Sequence, residues 1–338
     1  MELSYLDMEL MYACTKLLKD VLNVRQYENV VIYADTASDQ RVVKTTAQAA
    51  HTLGAVPTVL YYETRPTALM EPPKPVAAAM KAADVLIEYA VAYTLYTKAY
   101  YEAIASGARY ICLAGMDVDM AVRCIGKVNY PKMIELGERL VELTRHSKRI
   151  EIRSPAGSSF GAEIDVSRVS QSGRIISKPG EVAMLGGQVS FAPVFETVNG
   201  RVVFDGALWP PFELGVLREP ISLEIEEGKI RQIIGGSEAK IFQRWLESFE
   251  DQNMFNIAHF SYGFNPGATR PTGKIVEDER IFGSIEIGVG HYRNRPAKSH
   301  SDGIVLNPTI KLDDNLIEEE GRYRHPDLVE ICHDLGRG

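Results

Sequence analysis

The sequence predicts an α/β chain in two domains, a Rossmann-like open sheet over residues 1–147 followed by a mainly antiparallel, α+β domain over residues 148–338. Three observations predict it. Strand-like runs alternate with single helices through about residue 150, the texture then changes to strand-and-turn units, and dipeptides with hairpin chemistry punctuate the second half.

In the first half the strands are NVVIYAD (29–35), VPTVLYY (56–62), DVLIEYA (84–90) and ARYICLAG (108–115), short runs rich in β-branched and aromatic residues. Between them SDQRVVKTTAQAAHTLG, PPKPVAAAMKAA and YTKAYYEAIASG read as helices, the first and last ending at glycine. Strands separated by single helices pair in parallel through right-handed crossovers, which gives an open sheet. A nucleotide cofactor is not expected, because the first strand runs into Asp35-Thr36-Ala37-Ser38-Asp39 and not into a GxGxxG turn. After the helix PKMIELGERLVELTRHS come RIEIRSPAG, GAEIDVS, GGQVSFAPV, NGRVVFDGAL and PISLEIEEGKIRQIIGG, with Asn199-Gly200 and Glu227-Gly228 as candidate tight hairpins. One helix, SEAKIFQRWLESFED, interrupts this half before the strands FGSIEIGVG and GIVLNPTIKLDD.

With 45% hydrophobic and 24% charged residues, the 338-residue chain has an ordinary globular composition. Its net charge of -8 offers no basic field for a phosphate backbone, so no nucleic-acid partner is expected. No stretch approaches 18 uninterrupted apolar residues, and the N-terminus, MELSYLDMELMYACTKLL, is acidic where a signal peptide would be basic and reads as an amphipathic helix. Cys14, Cys112, Cys124 and Cys332 form no CxxC pair and read as structural thiols of a reducing compartment. A cytoplasmic protein with no membrane partner is the expectation.

Of seven histidines, His259, His291 and His300 fall in the glycine-rich or strand-like segments of the second half, where backbones approach closely and a site can be built. His300 and Asp302 stand at i and i+2, so an extended segment would put both side chains on one face, where they can grip one ion. KSHSDG reads equally as a polar surface turn. With His259 the pair makes two imidazoles and a carboxylate, the ligand set of a mononuclear iron(II) site of the facial-triad type. Glu286, flanked by Ile285 and Ile287, is a carboxylate inside an apolar strand and needs either a metal or a Lys or Arg partner.

Taken in order, GGQVSFAPV, VNGRVVFDG, PISLEIEEGKI, NIAHFSYGFNPGA, FGSIEIGVG and SHSDG resemble the metal-binding half of the aminopeptidase T-like metallopeptidases and of their relatives, the 2,5-dihydroxypyridine 5,6-dioxygenases. The resemblance covers most of residues 148 to 312. The peptidases hold two metals among carboxylates, and this chain departs from them, with Gln188 and His259 at two of their glutamates and Glu286 at their histidine. The dioxygenases are the closer match, and the resemblance implies His259, His300 and Asp302 as iron ligands. It also implies further histidines around the site, which this chain lacks between His51 and His146 and between His146 and His259. Tyr93 and Tyr96, after the strand DVLIEYA, and Tyr262, beyond His259, are the expected replacements, although any of the 16 tyrosines also reads as an ordinary packed aromatic.

The expected function is therefore an Fe(II)-dependent, extradiol-type dioxygenase that opens a hydroxylated N-heteroaromatic or aromatic ring, its partners a small-molecule substrate and O2. Tyr93, Tyr262 and Glu286 are the candidate catalytic groups, and Tyr96, Arg293 and Arg295, with Lys298, the candidate substrate-binding ones. The alternative is a metal-dependent aminopeptidase or amide hydrolase with Zn or Mn at the same residues, and a third reading is a binding protein without catalysis. A symmetric homo-oligomer is expected in each case.

Overall fold

The computed structural model describes residues 6–293 and 295–338. Residues 1–5 of the predicted N-terminal helix lie outside the described residues; within them the helix runs Leu6–Lys16 and closes in a π turn, Leu17–Val21. Strands β1 (Asn29–Asp35), β2 (Val56–Tyr62), β3 (Val85–Glu88) and β4 (Arg109–Cys112) then alternate with the helices Gln40–Thr52, Lys74–Lys81 and Lys98–Ala105. Asp39 and Thr97 cap the first and third helices by accepting from the N–H groups of Arg41 and Tyr100. Gly54 and Gly107, at φ of +80° and +99°, end them. The second half of the chain opens with the helix Tyr130–Arg145, β5 (Arg149–Arg153), β6 (Ser159–Gln171), β7 (Val182–Met184) and β8 (Gln188–Pro193). Next come β9 (Asn199–Phe204), β10 (Ala207–Trp209), β11 (Gly215–Val216), β12 (Ile221–Glu226), β13 (Lys229–Ile234) and the helix Ser237–Glu247. Strands β14 (Ile257–Gly263), β15 (Ser284–Tyr292), β16 (Arg295–Leu306), β17 (Thr309–Leu312), β18 (Asn315–Glu319) and β19 (Arg322–Tyr323) lead to a last helix, Pro326–Asp334.

The chain forms two compact units, Met1–Tyr130 with Gly173–Gly186, and Pro131–Ser172 with Gly187–Gly338. Where the sequence suggests one boundary near residue 148, the division runs differently for two physical reasons. The helix Tyr130–Arg145 is tied into the second unit, where the Thr144 hydroxyl donates to that of Tyr262 at 3.3 Å and Lys132 pairs with Asp334 at 3.0 Å. Residues 173–186 make an excursion that adds β7 to the first sheet, and a Cβ on Gly173 would lie 2.1 Å from the Cα of Gly186, so the excursion leaves and returns at one point.

The first unit is a parallel sheet of order β2-β1-β3-β4-β7, buried along β3, β4 and all of β1 but its first residue, as strands covered on both faces must be. This is a doubly wound sheet whose strand order reverses between β1 and β3. At that point two buried carboxylates end the strands. Asp35 accepts from the N–H groups of Ala37 and Ala92 and from the Ser38 hydroxyl, and Glu88 accepts from the N–H and hydroxyl of Thr94 and from the Tyr110 hydroxyl.

The strand pairs of the second unit are antiparallel, in a sheet whose main path is β11-β10-β16-β15-β14-β8-β6-β5-β17-β18-β19. Glu227-Gly228 forms the expected two-residue hairpin between β12 and β13, with φ of 49° and 72°. Asn199-Gly200 does not make a turn; it begins β9, and Gly200 is required there because a Cβ would meet the Ser159 carbonyl oxygen at 2.3 Å. All four cysteines are buried thiols outside any disulfide. Among the described residues, no helix is long and apolar enough to cross a membrane.

Burial lifts the Glu88 carboxyl from 4.5 to about 7, against the hydrogen bonds from Tyr110 and Thr94 that pull it down. Between those two values the folded chain holds a proton that the unfolded chain has released, so stability falls as pH rises through the window. Glu88→Gln should remove this fall, which amounts to roughly 3 kcal/mol. Urea unfolding of wild type and variant from pH 4.5 to 8 measures it, and an equally steep fall in the variant would assign the effect elsewhere.

Candidate metal centre

Strands β14, β15 and β16 lie side by side, and their register decides which side chains meet. His259 on β14 stands opposite Gly288 on β15, which stands opposite Asp302 on β16, and Gly290 stands opposite His300. Period-two alternation puts Glu286 on the face of Gly288, and His300 on the face of Asp302. KSHSDG is thus strand and not a polar surface turn, with Ser301 and Asp302 buried.

Gly288 makes room for the two imidazoles. A Cβ there would lie 2.3 Å from Nδ1 of His259 and 3.0 Å from Cε1 of His300, inside van der Waals contact. Over this bare position the two rings stack, with centroids 5.1 Å apart and planes 8° from parallel. Nε2 of His300 lies 2.8 Å from Oδ1 of Asp302, and Nε2 of His259 lies 3.7 Å from the same oxygen. One atom from each of the three residues falls within 4.8 Å of the others, a set that one ion can bridge. Nδ1 of His300 is 2.8 Å from the carbonyl oxygen of His291, so Nδ1 carries the hydrogen and Nε2 keeps its lone pair for the shared point.

Glu286 is fully buried beside them. Its Oε2 accepts from Nε2 of Gln188 at 3.2 Å, while Oε1 lies 2.9 Å from Nε2 of His259 and yet has no hydrogen bond of acceptable geometry. A buried carboxylate oxygen left this way, facing an imidazole nitrogen off axis, fits two donors that converge on a cation and not on each other. Two imidazoles with carboxylates suit iron(II), and zinc and manganese as well.

The electrostatics carry the same signature of crowding. Burial pushes the Asp302 carboxyl well above its usual range, and the neighbouring Glu286 and Glu279 carboxylates push it further. Burial also raises Glu286, but the His259 imidazole outweighs it and holds that carboxyl at about 2. Burial lowers His300, whereas at His259 the effect of burial is reversed by Glu286, which raises it. A divalent cation would favour the ionised carboxylates and the neutral imidazoles together.

The structure brings His259, His300, Asp302 and Glu286 together and distributes the other expected residues differently. Tyr262 is three residues beyond His259 and therefore on the opposite face of the sheet, fully buried and packed on Phe191 with centroids 5.1 Å apart, which removes it from the catalytic candidates. Arg295 is spread over the Phe195 ring at 3.9 Å and donates to the Ile257 carbonyl, and Lys298 donates to the carbonyl of Phe249. Arg293 lies over the Tyr292 ring at 5.8 Å. Tyr93 and Tyr96 belong to the first unit. There Tyr93 packs on the core and Tyr96 is exposed, held in the left-handed region at φ 67° with its ring edge-on to Tyr100.

Sequence reasoning missed Tyr292, whose ring lies alongside that of His259 with centroids 6.1 Å apart and planes at 29°, with Arg168 and Phe195 against it. The signal was available, since Tyr292 keeps the even spacing of Glu286 and Gly288 along β15. It also missed Glu279 and Arg280, which reach the site from the turn after the short helix Ile275–Asp278, where no periodicity marks them.

Comparison with known proteins shows what the whole chain is similar to. The sequence matches the 2,5-dihydroxypyridine 5,6-dioxygenase family over residues 9–325. It is 25% identical over 263 residues to 2,5-dihydroxypyridine 5,6-dioxygenase of Pseudomonas putida, a match that spans 74% of this chain and 73% of that one. The fold resembles the solved 2,5-dihydroxypyridine dioxygenase from Pseudomonas putida, with a TM-score of 0.77 at 21% identity over 96% of this chain and 99% of that one. It resembles wild-type AmpT from Thermus thermophilus less closely, with a TM-score of 0.66 at 15% identity over 94% and 99%. At these identities the two structural likenesses are likenesses of fold.

Gly288→Ala tests the centre without touching a donor atom. The methyl group should displace the His259 ring and lower affinity for Mn(II) by about 10- to 100-fold, while the far-UV circular dichroism stays that of the folded chain. Titration of the metal-free protein measures it, and unchanged affinity would mean that the imidazoles do not hold the ion.

Proposed function

Because the chain belongs to the 2,5-dihydroxypyridine 5,6-dioxygenase family, we propose that it is an Fe(II)-dependent, extradiol-type dioxygenase that opens a hydroxylated N-heteroaromatic ring. The observation that carries this reading is the convergence of two imidazoles and a carboxylate, His259, His300 and Asp302, on one face of the sheet over Gly288. These three would hold the ion, with Oε1 of Glu286 facing the same point as a fourth donor. Bound there, iron(II) supplies Lewis acidity and one-electron chemistry at the positions that such a ligand set leaves open.

The remaining work falls to the protein. Tyr292 presents a flat aromatic surface beside His259, against which a planar ring substrate stacks in an offset or tilted arrangement. Arg168 and Arg293 lie over the Tyr292 ring and give that side of the centre a positive potential, which orients an anionic substrate hydroxyl toward the ligands. The fully buried carboxylate of Glu286 stands on the inner side of the centre and the half-buried imidazoles on its open side, from which the substrate enters. Both atoms of O2 end in the open-chain product, and the carbon–carbon bond broken is the one next to the hydroxyl. Four buried thiols outside any disulfide agree with work in the reducing cytoplasm. The hydrolase alternative, with Zn or Mn, is disfavoured because Gln188 puts a neutral amide where a hydrolytic two-metal centre needs a carboxylate.

Anaerobic loading with Fe(II), followed by oxygen-uptake assays over hydroxypyridines and dihydroxybenzoates, tests the proposal. One O2 should be consumed per ring opened, and His300→Ala should reduce the rate by at least about 1,000-fold. Absence of uptake with every ring compound, together with cleavage of peptides or amides, would replace the dioxygenase with a hydrolase. Tyr292→Ala should raise KM about tenfold with kcat largely kept, as expected for lost stacking of the bound substrate.

A further inference from the structure

Arg280 is the largest fully buried side chain of the second unit, and two of its partners, Glu279 and Gln188, lead to the metal centre. One guanidinium nitrogen donates to the Val276 carbonyl at 2.7 Å and to Oε2 of Glu279 at 2.9 Å. The other donates to Oε1 of Gln188 at 3.0 Å. That contact fixes the amide, because an oxygen facing Arg280 turns the NH2 group the other way. The NH2 then donates to two carboxylates at once, Oε2 of Glu279 at 3.0 Å and Oε2 of Glu286 at 3.2 Å. The Ser172 hydroxyl donates to the same amide oxygen at 3.0 Å and holds it from the other side.

Two buried carboxylates directed at one point are ordinarily held together by a cation that bridges them. Here the point is occupied by an uncharged NH2 group whose orientation is set by a guanidinium. We infer that Gln188 and Arg280 together take the place of a second metal ion and limit this centre to one. This rests on the reading of His259, His300 and Asp302 as metal ligands and adds to it a cause for the metal count. Charge agrees with the geometry. When ionised, Glu279, Glu286 and Asp302 bring three negative charges and Arg280 one positive, so with neutral imidazoles two remain, the charge of one divalent cation. Glutamate at position 188 would bring a third negative charge to the pair Glu279 and Glu286 and turn an oxygen, not a donor, toward them. A second cation would then be drawn to that point. Gln188 and Arg280 are positioning residues in this account, since they act on the centre through Glu279 and Glu286.

The test counts metal and does not depend on turnover. Metal-free full-length protein is loaded anaerobically with Mn(II), desalted and analysed for bound manganese, and its electron paramagnetic resonance spectrum is recorded. Wild type should retain one ion per chain with the signal of an isolated Mn(II). The double variant Gln188→Glu, Arg280→Met should retain two, with the signal altered by spin coupling between neighbouring ions. Removal of a buried arginine can unfold a protein, so Gln188→Glu alone provides a second route. Its thermal midpoint should continue to rise when Mn(II) exceeds one equivalent, whereas that of wild type should level off at one. Wild type that holds two ions would overturn the inference, as would a folded double variant that holds one or a Gln188→Glu midpoint that levels off at one equivalent. Wild type that binds no Mn(II) would overturn the metal-ligand reading itself and the inference with it. The inference alone fails if wild type and both variants each bind one.

Discussion

The register of three neighbouring strands is the constraint on which the rest of the centre depends. A slip of one residue between β14, β15 and β16 would send His259, Glu286, His300 and Asp302 to different sides of the sheet. What opposes the slip is the other face. Phe260, Tyr262, Ile285, Ile287 and Val289 are all buried there, and at about 1.5–3 kcal/mol for each large apolar side chain their burial outweighs the cost of gathering imidazoles and carboxylates opposite them. The apolar side of the sheet thus holds the polar side in place. Gly288 is the complement of that arrangement, a position where the strand gives up a side chain so that its neighbours can supply theirs.

The polar side is costly and is built as a connected whole. Its groups run from the buried Arg280, Gln188, Glu279 and Glu286 to the half-buried His259, then to Asp302 and the half-buried His300, each within hydrogen-bonding or ion-pair distance of the next. A chain of this kind transmits the loss of any one member to the others, because a buried group left unpaired is more expensive than the pair was favourable. The first unit shows the same economy on a smaller scale. At its strand-order reversal, the crevice where such sheets usually admit ligands, Asp35 and Glu88 are committed to closing their own loops. The loop that Glu88 holds through Thr94 is the one that exposes Tyr96 in a left-handed backbone.

Much of this was legible in the sequence where the signal is periodic. Alternation of strands and helices gave the parallel sheet, and the i, i+2 spacing of His300 and Asp302 gave two side chains on one face. Tyr262 failed by the same rule, since three residues from His259 is an odd step and turns the ring into the core. Local signals without tertiary context were weaker. Asn199-Gly200 has the composition of a hairpin turn, but what the fold required there was close approach of two backbones. Strand β7 is three residues long and offers no period to read. Arg280 sits in the run Glu277-Asp278-Glu279-Arg280, which in a sequence looks like solvated surface, and nothing local distinguishes a buried guanidinium from an exposed one.

The return of residues 173–186 to the first sheet also bears on how the chain is made. Strand β4 is synthesised some 70 residues before β7 pairs with it through the register Tyr110 to Val182 and Cys112 to Met184. Until then β4 is a bare sheet edge on an emerging polypeptide, buried in the finished protein and apolar enough to pair with a foreign strand. The first unit therefore cannot mature on the ribosome until residues 173–186 have followed the opening stretch of its neighbour out of the tunnel, and a fragment cut at the apparent end of the first half would be born with an adhesive flank.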